Sequence, residues 1–250
     1  GLLTGYQPGQ FCDSAEVDSS HQHHCHWAWR TLGLMKGPGA PAYVWTLDNI
    51  NAANDWASYD WQLHTSPENT IAITGEQATI TGWRHGHHLD VHLALPPAAD
   101  YPKPHHFLEW TQDVARPSSW RYQDFGGLGK DAKLPKSYGN RPSDQMHYSL
   151  FFRPRLVARF EGYNGRALAL MLPRLKGTEP ATVTRLTGIP NTLAAKVTFA
   201  TVEDTLVFAF EHQLLEAGGI SGRGQWCVVR RSRSTGKVLA WEAHNATHLS

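Results

Sequence analysis

Cysteine is scarce in this chain and a long apolar run is missing, and both absences exclude classes of protein. The three cysteines, Cys12, Cys25 and Cys227, are odd in number and far apart, whereas a disulfide framework needs paired cysteines at regular spacing. No run of about 18 apolar residues occurs, so the sequence predicts no membrane-spanning segment. A charged and then apolar leader is also missing, so we expect any signal peptide to have been removed. Because the chain begins at Gly1, we expect a processed or excised part of a longer protein.

An excess of either charge is missing as well. The 23 basic and 22 acidic side chains leave a formal net charge of +1, which gives no reason to expect nucleic acid or an anionic membrane as a partner. The sequence contains no phosphate-binding loop, dinucleotide fingerprint, Ser-His-Asp motif or zinc-protease motif. The common signatures of nucleotide-dependent enzymes and hydrolases therefore assign no function to it.

Histidine and tryptophan, by contrast, are abundant, with 15 and 10 residues among 250. The flat, amphipathic ring of Trp occurs both in β-sandwich cores and on sugar-binding surfaces. We expect most of these rings to lie in a core, since a chain of this length buries a substantial core without disulfides.

The most regular alternation lies between Tyr43 and Gln77. Residues 43–48 and 59–64 alternate apolar or aromatic side chains with polar ones, and a segment rich in Asn, Asp and Ala separates them. This pattern predicts two strands of one antiparallel sheet joined by a polar loop. In the second strand, alternate side chains lie on opposite faces: we expect Tyr59, Trp61 and Leu63 in the core, with Asp60, Gln62 and His64 opposite.

Short runs of the same kind continue to the C-terminus and predict an all-β protein. They are separated by turn-forming residues at regular spacing, which is typical of a β-sandwich. No convincing amphipathic helix occurs, and residues 214–217 form at most one helical turn. Residues from about 100 to 142 lack periodicity, so we predict a long irregular insert, which in a compact domain is usually functional. The prediction is one domain over residues 1–250, a large antiparallel β-sandwich with little helix.

The order of these strands resembles one family. A strand ends in Asp48-Asn49-Ile50, a polar loop follows, and residues 59–65 then read YDWQLHT; further along, residues 166–173 read RALALMLP and more short strands follow. This succession resembles the C-terminal β-sandwich domain of the heparinase II/III-like polysaccharide lyases, a supersandwich-like fold that follows a helical toroid. The resemblance covers most of the chain outside the insert.

The resemblance implies β-elimination on an acidic, uronate-containing polysaccharide by a secreted or periplasmic enzyme. In the family, the acid-base tyrosine and most carboxylate-neutralising residues lie in the N-terminal helical toroid, which this sequence does not contain. Residues 85–88 (HGHH) have the letters of a family His-Gly-His motif, but they follow YDWQLHT instead of preceding it. We therefore expect this chain to begin downstream of the catalytic histidines and to form one wall of the substrate cleft.

A histidine-rich segment at residues 21–26 is a candidate metal site. On a strand, His21, His23 and Cys25 fall on one face, and imidazole with thiolate suits zinc. A fourth ligand would have to come from a residue such as Asp13 or Asp18. The alternative is an exposed polar strand face without a metal, so zinc or another divalent ion is the only cofactor that the sequence suggests.

Two further groups of residues are candidates for binding an acidic sugar. The first is a loop whose cationic and imidazole groups suit charge-assisted hydrogen bonds to a uronate carboxylate: Arg84, His85, His87 and His88. The alternative for this loop is a solvated turn. The second group lies in the insert and combines aromatic rings with basic groups: His105, Trp110 and Arg121. Its alternative is ordinary loop packing.

β-Elimination also needs a base that removes the C5 proton and an acid that protonates the leaving oxygen. Tyr and His perform both roles, and the candidates that lie near one another in sequence are Tyr138, Arg141, His147 and Tyr148. Three functions therefore stay open. The chain is one wall of a polysaccharide lyase, a non-catalytic carbohydrate-binding or structural module, or a compact lyase that uses its own Tyr and His.

Overall fold

The computed structural model describes residues 27–51, 57–65, 68–74, 77–95, 106–114, 154–162, 164–186, 192–210 and 214–249, and every regular element among them is a β-strand. In chain order the strands are β1 (Trp27–Met35), β2 (Tyr43–Asn51), β3 (Ala57–His64), β4 (Thr70–Thr74), β5 (Gln77–Thr81), β6 (His88–Ala94), β7 (His106–Val114), β8 (Pro154–Gly162), β9 (Asn164–Arg174), β10 (Thr182–Leu186), β11 (Thr192–Thr198), β12 (Val202–Ala209), β13 (Leu214–Ala217), β14 (Ile220–Arg223), β15 (Trp226–Ser232), β16 (Val238–His244) and β17 (His248–Leu249). Within these ranges, no helix is long and apolar enough to cross a membrane.

The strands form four antiparallel sheets. The six-stranded sheet has the order β1-β2-β9-β6-β5-β4, and the five-stranded sheet has the order β10-β11-β12-β15-β16. Two smaller sheets have the orders β3-β8-β7 and β13-β14-β17. This architecture confirms the prediction of a large all-β, sandwich-like fold.

Three hydrophobic clusters show how the sheets are stacked. The largest lies between the six-stranded and five-stranded sheets and includes Trp45 and Leu170 on one side and Phe208 on the other. A second cluster joins the β3-β8-β7 sheet to the far face of the six-stranded sheet. A third joins the β13-β14-β17 sheet to the far face of the five-stranded sheet. The molecule is therefore a stack of four layers, with the two large sheets in the middle.

Strand β9, in the middle of the six-stranded sheet, is buried on both faces. Leu168 and Leu170 point towards the five-stranded sheet, whereas Ala167 and Ala169 pack in the cluster that contains Trp61 of β3. A strand that is covered on both faces is apolar at nearly every position, which explains the continuous run in this part of the sequence. Full burial of one such leucine contributes about 1.5–3 kcal/mol relative to an exposed position.

The predicted pairing of the two strands between Tyr43 and Gln77 is wrong. Strand β2 pairs with β1 and β9, whereas β3 pairs with β8 in a different layer. Alternation specifies which face of a strand is buried but not which strand lies beside it. The assignment of faces in β3 is correct, because Trp61 is buried while the side chains of Asp60 and His64 are exposed.

Two other local predictions also need correction. The region from about 100 to 142, predicted as irregular, contains strand β7, which pairs with β8. Its register shifts between Phe107 and Glu109, and such a bulge interrupts the period-2 pattern that would have marked a strand. Residues 214–217 form strand β13 instead of a helical turn, with Leu215 and Ala217 buried. The remainder of the predicted insert lies outside the described residues.

Candidate functional site

The candidate site is built around a tight turn between β5 and β6, residues 82–87, which we call the basic turn. The Gly82 N–H donates to the His87 carbonyl at 2.8 Å, and the Gly86 N–H donates to the Gly82 carbonyl at 2.9 Å. Gly86 has a φ of +64°, a conformation that a glycine adopts without steric cost. The Trp83 N–H donates to the side-chain oxygen of Asn69 at 3.1 Å. These bonds fix the backbone of the turn.

The side chains of the basic turn project into solvent. Trp83 is 56% exposed, and the Arg84 guanidinium lies 4.8 Å from the centre of its ring. The rings of His85 and His87 are also exposed, with their centroids 5.6 Å apart. An exposed indole combined with a guanidinium presents an apolar face and a cation to the same ligand. The structure therefore brings together three of the four predicted loop residues, Arg84, His85 and His87.

The hydrogen bonding of His87 determines which chemistry its ring offers. The Lys176 N–H donates to Nδ1 of His87 at 3.3 Å, so Nδ1 acts as the acceptor. In a neutral imidazole with this tautomer, the proton is carried by Nε2. His87 therefore offers an N–H donor to a ligand at Nε2, which suits an anion or a hydroxyl oxygen. The same bond holds the β9–β10 connection against the turn.

His88 takes a different position from its neighbours. It begins strand β6, is half-buried, and its Nδ1 lies 3.0 Å from the Thr81 hydroxyl. On this strand it shares a face with Asp90 and His92, because alternate residues point the same way. His88 is therefore part of the sheet face beside the turn and not part of the turn itself.

Asp90 is the charged centre of that sheet face. It is only 1% exposed, and both carboxylate oxygens are satisfied, one by the Thr79 hydroxyl at 2.7 Å and one by Arg174 Nε at 2.5 Å. Arg174 also donates through Nη1 to the Thr178 carbonyl at 3.2 Å. A buried carboxylate is stable only with such partners, so Asp90 fixes the guanidinium at the end of β9.

His92 lies deeper on the same face. Burial lowers the pKa of its imidazole below the ordinary value, and the neighbouring Asp90 carboxylate opposes this only in part. Its Nε2 atom is buried and has no hydrogen-bond partner within the described part of the chain. The ring is therefore neutral near pH 7. Its Nε2 atom carries either a lone pair or a proton, and neither is used in a hydrogen bond with the described residues.

A cleft of about 560 Å³ opens beside Asp90, between the ends of the two large sheets. Its walls are mostly apolar, and its charged residues come from strands β6 and β9 and from the β9–β10 and β15–β16 connections. The residues that matter for its chemistry are Pro41, Asp90, Leu172, Arg174, Glu179, Pro180, Phe199 and Arg233. Sequence reasoning missed this cleft because Arg174 and Arg233 are far apart in the chain, and no local motif marks either of them.

Most of the other predicted site residues belong to the part of the chain that the structure does not describe. The candidate zinc ligands His21, His23 and Cys25 lie outside the described residues. The same holds for two candidates in the insert, His105 and Arg121, and for the four acid-base candidates, Tyr138, Arg141, His147 and Tyr148. For Trp110, only the backbone is described, in β7 opposite Ala158.

The described residues include neither a group of side chains that could hold a metal ion nor a reactive cysteine. No group of three or more His, Cys, Asp or Glu residues is arranged there to hold a metal ion. Cys227 is buried and forms no disulfide within the described part of the chain, and burial raises the pKa of its thiol to about 11. Since the thiolate is the reactive form of cysteine, Cys227 acts as a core residue.

Comparison with known proteins adds no family assignment, because neither a family model nor a curated protein sequence matches this chain. The resemblance to polysaccharide lyases rests on the order of the strand motifs alone.

Proposed function

We propose that this β-sandwich is the portion of a polysaccharide lyase that forms one wall of the substrate cleft and binds an acidic, uronate-containing glycan. The observation that carries the proposal is the basic turn, in which Trp83, Arg84, His85 and His87 are held together on an ordered backbone. The all-β architecture agrees with the fold that the resemblance implies. A secreted or periplasmic location follows from the substrate class.

The chemistry of the turn suits an anionic sugar chain. The indole of Trp83 stacks on the apolar face of a pyranose ring, while Arg84 attracts a carboxylate. His87 donates from Nε2 to a carboxylate or hydroxyl oxygen, and Lys176, which follows in the adjacent connection, adds a second cation. Because carboxylate neutralisation makes the C5 proton more acidic, this surface supports β-elimination without itself supplying the base.

In this proposal, the proton-transfer groups come from an N-terminal helical toroid. The sandwich holds the polymer, and the toroid brings the acid-base tyrosine to the C5 proton and the leaving oxygen. A chain that binds acidic glycans but does not cleave them when alone is the expected behaviour of such a wall.

The test is a binding and turnover assay of the 250-residue chain with alginate, ulvan, glucuronan and glycosaminoglycans. Turnover is followed by the ultraviolet absorbance of the unsaturated product, and binding by affinity electrophoresis in gels that contain each polymer. We expect saturable binding of at least one uronate polymer and no turnover by this chain alone. Turnover by the chain would instead favour a compact one-domain lyase.

The control separates the lyase wall from an unrelated module. Any polypeptide encoded upstream of Gly1 in the same reading frame is produced separately and mixed with the chain, and cleavage is measured again. Cleavage that appears only in the mixture supports the proposal. Binding that never leads to cleavage favours a non-catalytic carbohydrate-binding module, and failure to bind any acidic polymer contradicts both.

A further inference from the structure

We propose that the cleft between the two large sheets is a second binding site, which takes one sugar-acid ring of a glycan. It would place the ring carboxylate on Arg233 and Arg174 and a ring hydroxyl on Glu179. This inference rests on the proposed function in taking the ligand to be a sugar acid, and it adds a second subsite, separate from the basic turn.

The first argument is that the walls of the cleft are fixed by hydrogen bonds from side chains to the backbone. The Thr201 hydroxyl donates to the Gly39 carbonyl at 2.9 Å, which holds the β1–β2 connection. Arg233 Nη1 donates to the carbonyls of Phe199 and Ala200, both at 2.9 Å, which holds the β11–β12 connection. Arg174 and the Thr178 hydroxyl hold the β9–β10 connection. Sites for small molecules are usually preformed in this way.

The buried ion pair behind the cleft adds to this rigidity. Arg230 donates through Nη1 to the Gly37 carbonyl at 3.0 Å while its other nitrogens bind Asp204. Phe199, which lines the cleft, packs against Tyr43 with ring centroids 5.9 Å apart. The β1–β2 and β11–β12 connections beside the cleft are therefore anchored to the core of the sandwich.

The second argument concerns the charges that the fixed walls present. Arg174 and Arg233 use only part of their guanidinium donors on the protein, and their remaining N–H groups make no hydrogen bond to the described residues. Guanidinium groups recognise carboxylates through paired N–H donors. Glu179 also lines the cleft and forms no ion pair with the described part of the chain. A carboxylate and a hydroxyl on one small ring match this set.

The third argument concerns shape. Leu172 lines the cleft and also belongs to the cluster between the two large sheets, so the core of the sandwich forms part of its wall. Its volume of about 560 Å³ is typical of sites for small molecules. The apolar walls of Pro41, Leu175, Pro180 and Phe199 suit the C–H face of a pyranose ring. A cleft of this volume with an apolar wall has room for a single sugar ring.

The test is titration calorimetry of the chain with sodium glucuronate, glucose and sodium benzoate. We expect saturable binding of glucuronate, and binding of glucose weaker by about tenfold or more because the guanidiniums lose their carboxylate partner. Saturable binding of benzoate as tight as that of glucuronate would overturn the sugar-acid assignment. An absence of glucuronate binding would overturn the proposal as a whole.

Variants locate the site and separate this proposal from the previous one. Arg233→Gln is expected to weaken glucuronate binding about tenfold, and Glu179→Gln, on an exposed residue, is expected to weaken it by a smaller factor. The matched control is Arg223→Gln, which removes an exposed cation in β14 and should leave binding unchanged. Unchanged binding in both cleft variants would contradict the proposal. Trp83→Ala should weaken polymer binding but not glucuronate binding. If the unmodified chain binds glucuronate but no acidic polymer, this result contradicts polymer binding at the basic turn and leaves the cleft proposal standing.

Discussion

Arg230 and Asp204 form a two-fold hydrogen-bonded ion pair, with both N···O distances at 2.7 Å and both side chains fully buried. The pair joins neighbouring strands β12 and β15, and the third nitrogen of Arg230 reaches the β1–β2 connection at Gly37. Hydrogen bonding to Asp204 raises the pKa of Arg230 above its already high value. The Arg230 guanidinium therefore stays charged inside the fold.

Breaking this pair should be costly. We expect Arg230→Met to lower the free energy of unfolding by about 3–5 kcal/mol, because it leaves the Asp204 carboxylate buried without its partner. The double variant Arg230→Met/Asp204→Leu should recover part of this loss, since it leaves no buried charge. Chemical denaturation followed by tryptophan fluorescence measures both effects.

The matched control is the Arg159–Asp60 pair, which has the same two-fold geometry at 2.8 and 2.9 Å but joins exposed positions of β8 and β3. Arg159 is 47% exposed, so solvent screens the attraction, and Arg159→Met should cost about 1 kcal/mol or less. Equal losses from the buried and exposed variants would show that burial does not set the strength of the Arg230 pair.

Stability should fall in weak acid partly because of His92. Burial lowers the pKa of this imidazole in the folded state, whereas its unfolded value is about 6.5. As the pH falls below about 6.5, the unfolded state binds a proton that the folded state resists, so the free energy of unfolding decreases. We expect His92→Gln to lose less stability than the unmodified chain between about pH 7 and pH 5.

The measurement is urea denaturation at intervals of pH, and His64→Gln is the control because it removes an exposed imidazole from β3. Parallel stability curves for the His92 variant and the unmodified chain would show that His92 does not contribute to the pH dependence.

Replacing Gly39, in the connection between β1 and β2, should lower the stability of the fold. Gly39 has a φ of +85°, and a Cβ there would lie 2.5 Å from Val202 Cγ1. We expect Gly39→Ala to cost about 1–3 kcal/mol, through both the backbone conformation and the collision. Gly236 has a φ of +71° but open space around it, so Gly236→Ala should cost only the conformational part, about 1 kcal/mol. Thermal denaturation of both variants separates the two contributions, and equal losses would argue against the close approach to Val202.

The sequence predicted those features of the molecule that depend on neighbouring residues. The burial of Trp61 follows from the alternation in β3, and the basic turn is a contiguous segment in which Gly86 permits the chain to reverse. The partner of β3 was not predictable in this way, because Trp61 lies opposite Ala158, far along the chain. The same reason hid the cleft, since Arg174 and Arg233 come together only through the stacking of two sheets. His88 was predicted to lie in the loop with His85 and His87. Strand β6 begins at His88, so its side chain lies on a face of the sheet instead.

Binding of an acidic polymer at the basic turn should divide into a part that depends on salt and a part that does not. Arg84 and Lys176 attract the polymer through charge, so affinity should fall as ionic strength rises. The contact of Trp83 with a sugar face is apolar and is not screened. We therefore expect Trp83→Ala to lower affinity by about the same factor at low and high salt, a loss of about 0.5–1.5 kcal/mol, whereas Arg84→Gln should flatten the salt dependence.

The control is Trp241→Ala, which removes a 66% exposed indole from β16 in the five-stranded sheet. If that variant lost as much affinity as Trp83→Ala, the polymer would bind to exposed tryptophans in general and not to this turn.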